Sequence, residues 1–306
     1  MTKYYPEGKL INTESNEYYL ENEKRLCEAA EKGILLEGRA IVCDCEHNLH
    51  IDLKCMRGII PRLECALGIE EGITRDIAII SKVNKPVCFY ITDFTTLDGK
   101  KVAVLSRRTA QEEFSEKCLG FSPGDVIDAI VTHLENFGAF CDIGCGIASL
   151  LPIDSISVSR IPHPSARLAV GDNIRAIVKN FDEKNRITLS HKELLGTWSE
   201  NAQMFAVGET VSGIVRSIED YGIFVELMPN LAGLAESADN VCVGDTVSVY
   251  IKSIIPEKIK IKLVIINAFK EEFPVKKLQY FYEGEHIDYF RYTPENCDKL
   301  IETFFT

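Results

Sequence analysis

Four aromatic residues stand where a ring on a β-strand could face solvent: Phe137, Phe140, Tyr221 and Phe224. Ala139, Cys141 and Ile143 share one parity, while Phe140 and Asp142 take the other. Ile223, Val225 and Leu227 alternate in the same way with Phe224 and Glu226. Successive strand residues point to opposite faces, so Phe140 and Phe224 are expected off the apolar face. A large apolar ring on a solvent face suggests a binding surface, the alternative being cover by a loop or a neighbouring module. Phe137 and Tyr221 share the core parity, but Gly138 and Gly222 follow them, and a strand glycine often marks a bend that re-aims a side chain. Cations follow the outward parity. Arg175 and Lys179 alternate with Ile174, Ala176 and Val178, Arg186 precedes Ile187, and Lys260 alternates with Ile261. Lys258 and Lys262 read as solvated edge lysines that discourage aggregation. Tyr250 and Lys252 flank inward Ile251 and are expected to extend the later aromatic face. Rings for stacking beside cations for phosphates are the chemistry of single-stranded nucleic-acid binding.

The elements that must hold these residues form a repeat. GDVIDAIVTHLENFGAFCDI at 124–143 aligns without a gap with GETVSGIVRSIEDYGIFVEL at 208–227, an offset of 84. GDNIRAIVK at 171–179 matches GDTVSVYIK at 244–252, an offset of 73, so the earlier copy carries 11 more residues in its middle. A fainter copy lies upstream, with HNLHIDL at 47–53 in the place of FGAFCDI. Each copy is built of short period-2 segments of one apolar parity, which points to a small closed barrel with no unpaired edge. The stretches between copies are rich in helix formers, and 18–32 reads as one helix with Leu20, Leu26, Ala29 and Ala30 on one face.

Gly-x4-(Gly/Ala)-x-Val, (Phe/Tyr)-Gly-x-Phe, Gly-Asp and (Arg/Lys)-Ile-x-Leu in this order resemble the S1 RNA-binding domain, and their arrangement with linker helices is similar to the bacterial ribosomal protein S1 family. The resemblance implies five-stranded OB-fold barrels that bind single-stranded RNA, with the ribosome as a further partner. It places RNA contacts at Phe137, Phe140, Asp182 and Arg186 in the middle copy and at Tyr221, Phe224 and Lys260 in the last. A family histidine on the third strand is replaced by Pro152 and Ala235, and His47 and His50 take the aromatic places of the first copy.

The expected fold is therefore mainly β: an N-terminal helical segment (1–33), a diverged S1-like barrel (34–109), a linker helix (110–121), an S1 barrel (122–192), a second linker helix (193–205), an S1 barrel (206–268) and a C-terminal segment (269–306). The linkers and the longer middle loop, 154–170, are the expected protease-sensitive places. The aromatic C-terminal segment is expected to pack on something.

Composition narrows the function. With 34 basic against 46 acidic residues the net charge is −12, which excludes a polybasic nucleic-acid arm. The copies themselves are closer to balance, with 11 basic and 10 acidic, 7 and 8, and 5 and 8 residues in chain order. Binding led by stacking rather than by charge is expected. No apolar leader opens the chain and no apolar run approaches the ~20 residues that span a bilayer, so a cytoplasmic protein with reduced cysteines is expected, with no membrane partner. Cys43, Cys45, Cys55, Cys65, Cys141 and Cys145 read as small core residues rather than metal ligands. No phosphate loop, zinc-protease or serine-nucleophile motif occurs, and His133, His163 and His191 read as scattered surface or loop residues. No enzyme and no cofactor are expected. The alternative to RNA binding is a scaffold whose barrels and acidic surface dock a ribosomal or RNA-processing partner.

Overall fold

The computed structural model describes residues 4–97, 99–238, 240–269 and 278–305. Residues 270–277 and Thr306 of the expected C-terminal segment lie outside them. The chain is mainly β and carries three closed five-stranded barrels in tandem. It divides into two compact units: one holds residues 1–121 with 128–130 and 142–148, and the other holds the rest.

In the first unit, α1 (Glu14–Leu20) and α2 (Glu23–Lys32) precede a barrel of β1 (Leu36–Cys43), β2 (Leu49–Asp52), β3 (Arg57–Ile60), β4 (Pro86–Leu97) and β5 (Lys100–Ser106). The single helix expected over 18–32 is broken at Glu21 and Asn22. Asn22 is extended and its side chain accepts from Arg25 N, so it starts a new helix rather than continuing the old one. β3 runs parallel to β5 and β1 antiparallel to β4, which closes the barrel. Its interior is filled by Leu36, Leu49, Ile51, Val87, Phe89 and Leu105. A further helix, α3 (Arg108–Cys118), packs Phe114 against Gly144, where a Cβ would sit 2.4 Å from the ring. Asp142, expected to point outward, is buried here. It accepts from the backbone N–H of Glu7, Gly144 and Gly146, which take the place of solvent.

The middle barrel is formed by β6 (Val126–Glu135), β7 (Gly138–Asp142), β8 (Ala148–Pro152), β9 (Asn173–Phe181) and β10 (Ile187–Ser190). The last is formed by β11 (Thr210–Glu219), β12 (Gly222–Met228), β13 (Leu231–Ala235), β14 (Thr246–Ile255) and β15 (Lys260–Phe269). Both repeat the parallel closure, β8 with β10 and β13 with β15. Between them in the chain lies a five-residue helix, α4 (Trp198–Ala202), capped by a reciprocal Thr197–Glu200 box.

The second unit departs from the sequence expectations at three places. The middle loop, 154–170, is not an open loop: Ile156 and Leu168 are buried, and Val158 N donates to Asn230 Oδ1 at 3.0 Å. Glu226 has outward parity yet is buried, because Arg167 from that loop and Arg216 from β11 both donate to its carboxylate. His191 is fully buried rather than on the surface. It sits between Ile156 O and the Tyr280 hydroxyl at 3.0 and 3.2 Å, and burial pulls its pKa down to about 4. The packing partner of the C-terminal segment is this unit's core. Ile287, Phe290, Tyr292 and Phe305 join the last barrel's cluster, and a two-stranded sheet of β16 (Tyr289–Arg291) and β17 (Glu302–Phe304) holds them there.

Candidate nucleic-acid interface

In the last barrel, Phe224 on β12 pairs with Leu234 on β13, Leu234 with Lys262 on β15, and Lys262 with Ser253 on β14. One row thus crosses four strands on the outer face. It begins at a half-buried ring flanked by buried Ile223 and Val225, as the parity requires. Tyr221 stands beside it, 70% exposed, with ring centroids 6.1 Å apart and planes at 87°. Gly222 makes this geometry possible. Its φ is +142°, and a Cβ there would lie 2.4 Å from Ala235 O, so the strands approach closely and Tyr221 swings off the core side.

The middle barrel repeats the arrangement. Phe137, 55% exposed, and Phe140, half-buried, stand 6.1 Å apart with planes at 88°. A Cβ on Gly138 would lie 2.4 Å from Leu151 O. Leu150 pairs with Thr188 and Thr188 with Asn180, the same row with a threonine in the place of Lys262.

The cations are set by a bulge. The β9–β10 register shifts beside Thr188, and the extra residue on β9 is Lys179. The β14–β15 register shifts between Ile251 and Ser253, and the extra residue is Lys252. A bulge leaves one residue unpaired and re-aims it, so each row has a lysine at its edge. Lys252 is exposed; Lys179 is half-buried and donates to Ser155 Oγ at 3.2 Å. Arg186 is exposed, and its Nε lies 2.6 Å from Asp182 Oδ2. The other Asp182 oxygen accepts from the backbone N–H of Lys184 and Arg186. The Arg186 N–H above all holds this carboxyl below its usual range. Asp182 thus shapes the hairpin and aims Arg186. Lys260, half-buried, holds the equivalent place in the last barrel.

One expected contact is not brought together with these rows. Arg175 donates to the carbonyls of Tyr282, Glu283 and Gly284, so the C-terminal segment consumes its guanidinium. Tyr250 pairs with Thr210, seven residues along β11 from Ser217, the partner of Phe224. On β15 Tyr250 pairs with Val264, two residues from Lys262, so it stands beside the far, lysine-bearing end of the row rather than next to Phe224. Conversely, Lys262, read from the sequence as an edge lysine, lies in the Phe224 row itself. The signal was available in the register, but parity alone cannot supply register between non-adjacent segments.

The first barrel builds the same row with other chemistry. His50 pairs with Ile59, Ile59 with Val104, and Val104 with Asp93; the bulge residue is Thr92. His50 Nε2 lies 3.0 Å from Asp44 Oδ2, and His47 has a left-handed backbone with φ +63°. Cys45 and Cys55 are exposed, contrary to a core role, because the turns that carry them lie at the barrel's ends; Cys65, Cys141 and Cys145 are buried. Among the described residues no helix is long and apolar enough to cross a membrane, and no group of three or more His, Cys, Asp and Glu is placed to hold a metal ion.

The model of the S1 RNA binding domain matches residues 121–192. Small ribosomal subunit protein bS1 of Rhizobium meliloti is 34% identical over 70% of this chain and 37% of its own length. That of Leuconostoc lactis is 30% identical over 61% of this chain and 43% of its own length. Among solved structures, a multidomain protein with nucleic acid binding domains from Streptococcus pneumoniae covers 79% of this chain and 76% of its own at 13% identity and a TM-score of 0.25. The chain thus spans less than half the length of these curated relatives. With barrel, aromatic pair and bulge lysine all on the stretch that the domain model matches, the chain is an S1-domain protein similar to bacterial ribosomal protein bS1.

Proposed function

We propose that this protein binds single-stranded RNA in translation, through the outer faces of its middle and last barrels, as a non-enzymatic cytoplasmic component that associates with mRNA or the ribosome. The observation that carries this is the repetition of one constellation at one place: an exposed and a half-buried ring 6.1 Å apart, with a bulge lysine at the far edge of the row. Bases stack on such rings whatever their sequence, and the lysines and Arg186 track phosphates. The barrels act as the modules, and linkage raises the effective concentration of each weak face once its neighbour is bound.

A fluorescence-anisotropy titration of the full chain with an unstructured RNA of about a dozen nucleotides, repeated across salt concentrations, tests the reading. Saturable binding with a shallow salt slope is expected, since few phosphates are neutralised. Absence of binding at low salt would overturn it.

A further inference from the structure

Another exposed aromatic pair lies outside the barrel rows and has the opposite electrostatic setting. On the β16–β17 sheet, Tyr289 pairs with Phe304 and Phe290 with Thr303. Phe290 and Phe305 are buried in the unit's core, so the alternation turns Tyr289 and Phe304 outward, 43% and 62% exposed. Their ring centroids are 4.9 Å apart with planes at 38°, nearer to stacked than to the T-shape of the barrel pairs. Exposed rings in this number on one small sheet mark a face that takes a partner.

The surrounding charge states which partner. Residues 278–305 carry six carboxylates, Glu283, Glu285, Asp288, Glu295, Asp298 and Glu302, against Arg291, Lys299 and His286, whose pKa is raised by its hydrogen bonds to Asp125 and Asp288. The Tyr289 hydroxyl donates to Glu302 Oε2 at 2.8 Å, which holds that carboxylate at the ring's edge. Arg291 is turned to the carbonyls of Pro294 and Glu295 rather than to the Glu302 carboxylate. A groove of about 540 Å³ runs beside Tyr289, lined by Glu193, Glu200 and Asp288 against Arg291 and His286, the His286 ring lying between Asp125 and Asp288. Phosphates are repelled here. Guanidinium groups are favoured twice, since they stack on aromatic faces and pair with carboxylates.

We propose that the Tyr289–Phe304 face docks an arginine-rich, extended segment of another polypeptide. This does not rest on the RNA reading, which concerns other residues.

The test uses the full chain and a fluorescein-labelled peptide of alternating arginine and glycine, with a second peptide in which glutamine replaces each arginine. Any protein of net charge −12 attracts cations, so Glu70→Gln with Glu71→Gln, at exposed acids of the first unit, serves as the charge control. Phe304→Ala and Glu302→Gln are each expected to weaken the arginine peptide by about tenfold. The control should change it less than about twofold, and the glutamine peptide should not bind. Thermal melts check folding, and Tyr289→Ser replaces Phe304→Ala if that variant does not fold. Equal affinity for wild type and the hairpin variants overturns the proposal, as does no binding up to about 1 mM peptide. If instead the hairpin variants lose affinity for the RNA and keep it for the peptide, the face belongs to the nucleic-acid surface and the proposal is wrong.

Discussion

The first barrel and the two that follow it build the same row of strand partners and put different chemistry in it. Phe224–Leu234–Lys262 with bulge Lys252, and Phe140 near Leu150–Thr188 with bulge Lys179, offer rings and cations. His50–Ile59–Val104–Asp93 with bulge Thr92 offers a ring tied to a carboxylate, and an acid where the others have neutral Ser253 and Asn180. The fold supplies the place and the bulge; the residue type decides whether the place can hold a base and a phosphate. Tertiary similarity alone is therefore a poor guide to which barrel of a tandem array is used.

The comparison is broken most sharply by removing the rings. Phe140→Ala and Phe224→Ala should each cost ~1–3 kcal/mol of RNA affinity, and together about the sum if the faces are independent. The salt slope should stay nearly unchanged. Both side chains are half-buried, so melts should show less than the ~3–5 kcal/mol of a fully buried Phe→Ala. A large loss of stability with RNA affinity intact would make them packing residues.

The second expected effect is on stability and separates the two units. His191 has its pKa lowered to about 4 by burial in the second unit, while an unfolded histidine has ~6.5. Between these values the unfolded state binds more protons, so this contribution is present above pH ~6.5 and is lost as pH falls towards 4. It amounts to roughly 3 kcal/mol. The second unit's melting should drop over that window in wild type and much less in His191→Gln, measured relative to each protein's value at pH 7.5. An equal pH response in both would place the sensitivity elsewhere.

Smaller effects come from the cations. Arg186→Ala and Lys262→Ala should each weaken RNA binding several-fold and flatten the salt slope by ~0.7, one counterion's worth on a single strand. Lys262→Ala matching Lys258→Ala in both readouts would return it to the role of an edge lysine. The smallest effect is expected in the first barrel, where His47→Ala with His50→Ala should change affinity by less than about threefold, under ~1 kcal/mol. A tenfold loss would show that the first row binds RNA despite its acids.

Much of this was legible in 306 residues. The offset of 84 locates two barrels, and period-2 parity turns Phe140 and Phe224 off their own cores, because strand geometry is local and the side-chain period is fixed. Parity says which face a residue takes and not what covers it. Asp142 and Glu226 both have outward parity and are buried: the N–H of Glu7, 135 residues away, joins the N–H groups of the following turn at Gly144 and Gly146 for one, and Arg167, 59 residues away, joins Arg216 on the neighbouring strand for the other. Arg175 is likewise consumed by carbonyls over 100 residues away. Register between non-adjacent strands was equally out of reach, and it alone brings Lys262 into the Phe224 row. Local periodicity is written by steric rules acting over a few residues. The partners of a charged side chain are chosen by long-range packing, which buries a carboxylate only where distant donors satisfy it.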